Sequence, residues 1–165
     1  MKTEEKLPLG VVLATLVHDN KILLIRREKG YYIGLWSLLG GKIESNEHIS
    51  EAAVREVREE SGIHCEFIEH LGSVSEHLIE NKEVEQHFLL HVCKLKPKTA
   101  NMLVMPETYE GKLEWFELEK LDESKHLIIP SDYLMIKNML LNKEKNYYNC
   151  IIERIGKDHI LRKFE

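Results

Sequence analysis

The chain has 165 residues, the size of one domain around one core. With 43% hydrophobic and 31% charged residues it has the balance of an ordinary globular protein. A net charge of −5 offers no basic face to a phosphate backbone, so no nucleic-acid polymer is expected as partner; no apolar run approaches membrane-spanning length, so no membrane is expected either.

Leu9 to Val17 is β-rich, and His18-Asp19-Asn20 is a turn signal. Lys21 to Arg27 returns as a second strand, so the two are expected to form a hairpin. Arg26 and Arg27 end it on opposite faces, and one of them is a candidate for an anionic ligand. Glu28 to Trp36 is a loop with Tyr31, Tyr32 and Trp36, rings able to stack on a base or to cover the core edge. Ser37 to Glu44 is expected as a short strand broken at Gly40-Gly41.

A helix is expected from about Asn46 to Ser61, with Ser45 or Asn46 as N-cap and Gly62 in the left-handed C-cap position. Ile63 to Ile79 reads as one or two strands interrupted near Gly72. Val84 to Leu95 is a strand with Val84, Phe88, Leu90 and Val92 on one face and His87 and His91 on the other, a polar face rather than a zinc site. Lys96 to Lys112 is a long loop carrying Glu107 and Glu110. Leu113 to Leu118 is a strand. Ser131 to Lys143 is an amphipathic helix burying Leu134, Ile136, Met139, Leu140 and Leu141, with Pro130 in its first turn. Asn146 to Glu165 is a terminal hairpin whose edge can pair with this sheet or with a second subunit, which raises a homodimer. Cys65, Cys93 and Cys150, odd in number and without CxxC spacing, are expected as buried free thiols in a reducing cytoplasm.

The chemistry concentrates between Gly40 and Ile63. Glu56, Glu59 and Glu60 fall at i, i+3 and i+4 and share one helix face. Wound at helical pitch, Ile49, Ala53 and Val57 form the apolar stripe, with Glu56 and Glu60 inside it and Glu59 at its margin. A solvated acidic face would lie opposite that stripe. Like charges on the packing side demand a cation, and carboxylate oxygens suit a hard divalent metal.

Gly41, five residues, Glu47, seven residues, Arg55-Glu56-Val57, one residue, Glu59-Glu60, one residue, Gly62-Ile63: this spacing resembles the Nudix box, GX5EX7REUXEEXGU, at every specified position. The flanking strand order is similar to the family's over residues 7 to 144. The resemblance implies one Nudix domain over 1–144 with 145–165 as its hairpin extension. The fold it implies is α/β, a mixed α+β sheet between helices in an α/β/α sandwich. The implied activity is hydrolysis of a nucleoside diphosphate linked to a group X, with Mg2+ or Mn2+ as cofactor. X would make the substrate a nucleoside triphosphate (ordinary or modified), ADP-ribose or a similar small nucleotide.

Carried over residue by residue, Glu56, Glu59 and Glu60 would hold the metal with the carbonyl of Gly41. Arg55 would pair with Glu47, and Arg27, Gly40, Gly41 and Trp36 would meet substrate. Glu110, with Glu107 and Glu114 behind it, would complete the site. The general base stays open between Glu56 and the Glu110 loop. Leu39 and Asn46 stand where many members carry proline and glycine. Two other uses of the fold, a nucleotide-sensing module without catalysis and a prenyl-diphosphate isomerase, fit less well. The first has no need of every box glutamate, and the second wants a cysteine near the box.

Overall fold

A computed structural model describes residues 6–99, 107–108 and 111–165. Nine strands form one mixed sheet: β1 (Leu9–His18), β2 (Lys21–Arg27), β3 (Trp36–Lys42), β4 (Cys65–Glu80), β5 (Glu83–Pro97), β6 (Glu107–Thr108), β7 (Gly111–Glu117), β8 (Tyr147–Ile155) and β9 (Asp158–Phe164). Their spatial order is β6-β7-β2-β3-β1-β5-β4-β8-β9. Helix α1 (Ile49–Ser61) packs on one face, over Val12, Ala14, Leu39, Cys93 and Leu95. On the other face α2 (Pro130–Leu134) runs directly into a π-helical segment, Met135–Leu141, over Leu13, Leu38, Val74, Leu90 and Val92. The expected sheet between helices is therefore the observed architecture.

Details differ for physical reasons. The β1–β2 hairpin pairs only at Val17–Ile22 and His18–Lys21, then splays, and β3 inserts between its arms. Strand β3 is not broken at its glycines: Gly40 and Gly41 stay in register with Leu13 and Val12. A side chain on Gly40 would run into the Val12 carbonyl, so the glycine permits close packing instead of ending the strand. The run expected from Ile63 is one long strand from Cys65, with irregularities on either side of Gly72, absorbed as bulges.

Helix α1 starts later than expected, with His48 as N-cap. The Glu51 carboxylate accepts the His48 N–H at 2.7 Å, while Glu47 stays outside the helix and accepts the Glu44 N–H at 2.9 Å. Gly62 takes the left-handed C-cap with φ 78°, as its position predicts. In the second helix Met135 is fully buried, whereas Leu141 is exposed and Leu134 only half-buried. The wider π turn shifts the phase of the apolar stripe, which a 3.6-residue period misses. Val84 is exposed, one pair away from the turn that joins β4 to β5. The terminal hairpin pairs with the chain's own sheet, β8 lying parallel to β4. All three cysteines are buried free thiols. Among the described residues no helix is long and apolar enough to cross a membrane.

Candidate active site

A cavity of about 850 Å3 opens between the glycine end of β3, the acidic face of α1 and the loop after β2. Arg27, Gly40, Gly41, Arg55, Glu56, Glu59 and Glu60 all line it. Trp36 is not among them; its indole packs edge-on against Phe116, 5.1 Å between centroids. At the start of the interior strand β3 the half-buried indole packs against the core, reaching across β2 to Phe116 of β7. Glu110 and Tyr109 lie outside the described residues. Of Glu107, only the backbone pairing with Lys112 is described.

The helix presents its acids as the stripe argument predicts. Glu60 is 7% exposed, Glu56 is half-buried, and Glu59 is open to solvent. Glu60 Oε1 accepts the Gly40 N–H at 2.7 Å, which ties the helix to β3. The Glu56 carboxyl lies so close to Gly41 that a β-carbon there would stand 2.6 Å from Oε1. That seat explains a glycine at the first position of the box pattern.

Arg55 organises the acids. Its Nε and Nη2 donate to Glu47 Oε2 and Oε1 at 2.8 and 2.6 Å, a bidentate pair. Its Nη1 donates to Glu56 Oε1 at 2.8 Å and Glu59 Oε2 at 3.1 Å, and Nη2 also reaches the Lys42 carbonyl at 3.1 Å. The hydrogen bonds from Arg55 hold the Glu47 carboxyl down at about 2, and Glu47 and Glu56 in turn push the guanidinium up. Part of the neutralisation expected from a metal thus comes from the chain itself.

The donor set suits a hard divalent ion: it is all oxygen, from Glu56, Glu59, Glu60 and the Gly41 carbonyl. Among the described residues, however, no three acidic or other ligating side chains stand close enough to surround an ion on their own.

Arg27 lines the cavity but is committed to the loop that follows it. Its Nε donates to the Tyr31 carbonyl at 2.7 Å and Nη2 to the Lys29 carbonyl at 3.4 Å. It thereby fixes Tyr31, whose ring meets Phe88 edge-on at 5.5 Å; both rings line the cavity.

The chain belongs to the NUDIX domain family. The family model matches residues 6–138, most of the chain. An ADP-ribose pyrophosphatase of Methanocaldococcus jannaschii is 31% identical over 133 residues, covering 79% of this chain and 76% of that one. An oxidized purine nucleoside triphosphate hydrolase of Danio rerio is 26% identical over 111 residues, 67% of each chain. Against two further curated relatives the match spans about half of their length or less. The crystal structure of a MutT protein from Bacillus halodurans superposes with TM-score 0.69 at 22% identity, covering 95% and 96% of the two chains, which is likeness of fold. This Nudix chain is a hydrolase by kinship.

Two acids that line the same cavity carry no box signal. Asp132 is 4% exposed, and its Oδ2 accepts the Leu38 N–H at 2.8 Å. Burial, helped by the nearby Glu76 charge, pushes it up to about 7. Glu76 is 2% exposed, and burial raises it too. Its Oε1 accepts the Tyr32 hydroxyl at 2.7 Å. The signal for Glu76 was present: Val74, Glu76 and Leu78 alternate along β4, which puts an acid on an apolar face. Asp132 was masked by its place in a first helical turn, where an acid is ordinary.

Proposed function

We propose that this chain hydrolyses the pyrophosphate bond of a nucleoside diphosphate linked to X, using Mg2+ or Mn2+, by attack of water on phosphorus. The observation that carries the reading is the convergence of Glu56, Glu59 and Glu60 on one cavity with Arg27, Tyr31 and Phe88, around a glycine seat. The relatives named for a nucleoside triphosphate and for ADP-ribose favour a nucleotide of that size.

A bound divalent ion would neutralise the phosphate oxygens that otherwise repel the nucleophile, and would acidify water. Glu59, Glu60 and Glu56 with the Gly41 carbonyl would hold it. Arg55 orients Glu56 and Glu59 by its hydrogen bonds to them, and Glu47 keeps Arg55 in place. Glu56 or Glu110, whichever is not committed to the ion, would take the proton of the attacking water. Tyr31 and Phe88 supply ring surface for a base. Three buried thiols accord with a reducing cytoplasm, and the outer edge of β9 offers a homodimer contact.

Replacing Glu59 or Glu60 with Gln should lower metal-dependent turnover at least a hundredfold while the melting temperature stays within a few degrees. Retained turnover in both variants would show that the ion is held elsewhere.

A further inference from the structure

Glu76 and Asp132 have no part in that chemistry, yet they line the same cavity as the box glutamates. Two acids side by side in an apolar setting are costly, and well-packed hydrophobes would serve the core better. Leu13, Leu38, Leu90 and Ile129 do line this part of the cavity, so the acids are exceptions among aliphatic neighbours.

The surroundings of Glu76 are built to hold a carboxyl. The Tyr32 hydroxyl donates to Oε1, and Tyr32 adopts φ 60°, a backbone state unusual for an aromatic residue. The Tyr32 ring meets the His159 ring of β9, tilted, 4.7 Å between centroids, so the terminal hairpin braces it. Ser131 and Cys150 flank the carboxyl, and Asp132 is near enough to raise its own proton affinity through the Glu76 charge. Glu76 Oε2 is fully buried; the Ser131 hydroxyl and the Cys150 thiol stand beside the carboxyl, but no hydrogen bond of good geometry reaches Oε2 among the described residues. A buried polar oxygen left without a partner is rare and calls for a ligand.

The geometry points to Glu76 as a specificity-determining residue. Held by Tyr32 beside Asp132, it binds the nucleobase of the substrate through a ring edge rich in N–H donors, guanine being the common base that offers most. This rests on the reading that the cavity takes a nucleotide. The phosphates belong at the α1 end, where a divalent ion held by the box glutamates would screen them, which leaves the Glu76 end for the base. Guanine presents three N–H bonds on adjacent atoms of its pairing edge; adenine and cytosine present two, uracil one. Carboxyl groups supply the matching acceptors, and a proton kept on one of them can bond the neighbouring ring carbonyl. Sites built to pair with substrate N–H groups reject analogues that lack them, because the buried acceptors are then left unpaired.

The test compares the full chain with Glu76→Gln and Tyr32→Phe. Affinities for GDP, ADP, CDP and UDP are measured by calorimetry in EDTA, and kcat and KM for GTP, ATP, CTP and UTP with Mg2+. The wild-type chain should bind GDP at least tenfold tighter than CDP or UDP. Glu76→Gln should bring that ratio within about threefold, with the loss in KM for GTP more than in kcat. Tyr32→Phe, which keeps the ring and its His159 contact, should move the ratio in the same direction by less, and it carries the test if the Gln variant fails to fold. Equal weakening toward all four nucleotides, or no preference in the wild type, overturns the assignment. Base-selective binding without turnover of any nucleotide leaves Glu76 its role and removes the hydrolase reading. Turnover without base selectivity does the reverse.

Discussion

Asp132→Asn should flatten the fall of stability between pH 5 and pH 8. Burial raises the folded carboxyl from its ordinary 3.8 to about 7. A group whose folded value is raised binds its proton more tightly in the folded chain. Its stabilisation is complete below the unfolded value and is lost as pH rises through the folded one. From pH 5 to 8 the unfolded chain has already released this proton, whereas the folded chain keeps it until about pH 7. That is about two pH units at about 1.4 kcal/mol each, so the wild type should lose about 2.5–3 kcal/mol more than the Asn variant. Asn retains an oxygen for the Leu38 N–H, so the bond to β3 survives. His91 and His159, held below their ordinary value by burial, act in the opposite sense over part of this window. They are common to both proteins and cancel in the difference. Urea unfolding of both proteins at pH 5 and pH 8 reads it directly. Parallel falls in the two proteins would refute the claim that Asp132 holds a proton in the folded chain.

Gly41→Ala places a β-carbon against the flexible end of Glu56, so the carboxyl should move while the fold stays; kcat/KM should drop at least tenfold with a melting temperature within a few degrees. A collapse of the melting temperature instead would place the strain in the backbone. Arg55→Ala strips the cation from Glu47, Glu56 and Glu59. Since Glu47 is depressed to about 2, its stabilisation is present above the ordinary carboxyl value and lost as pH falls through the folded one. Allowing for solvent at the cavity rim, the variant should be less stable by about 1–2 kcal/mol at pH 7, a deficit that shrinks toward pH 3 in urea titrations. Arg55→Lys should recover little of the activity, measured as kcat/KM, because an ammonium lacks the planar fork that grips Glu47.

The acid-bearing helix was legible because two periodicities coincide there: the apolar stripe from Ile49 to Val57 and the carboxylates inside it. Both are local, and so is the Gly62 cap. What escaped depends on contacts distant in sequence. Tyr32 meets Glu76 from 44 residues away, and Asp132 meets Leu38 from 94. The insertion of β3 between β1 and β2 follows from the way β2 peels toward β7, which no turn signal encodes. Trp36 carried two readings, ligand contact and core cover, because an aromatic near a glycine loop suits both. The π turn hid the true inner face of the second helix, since one extra residue per turn moves Met135 inward and Leu141 out.

The central claim is cleavage of a pyrophosphate bond under control of the α1 carboxylates. Incubation with GTP, ATP, CTP, UTP and ADP-ribose, each with Mg2+, Mn2+ or EDTA, followed by mass-spectrometric identification of products, tests it most directly. The account predicts a nucleoside monophosphate among the products for at least one substrate, formed with either ion, absent in EDTA and absent with Glu60→Gln. Products that persist in EDTA, or no cleavage of any substrate with either ion, would contradict it.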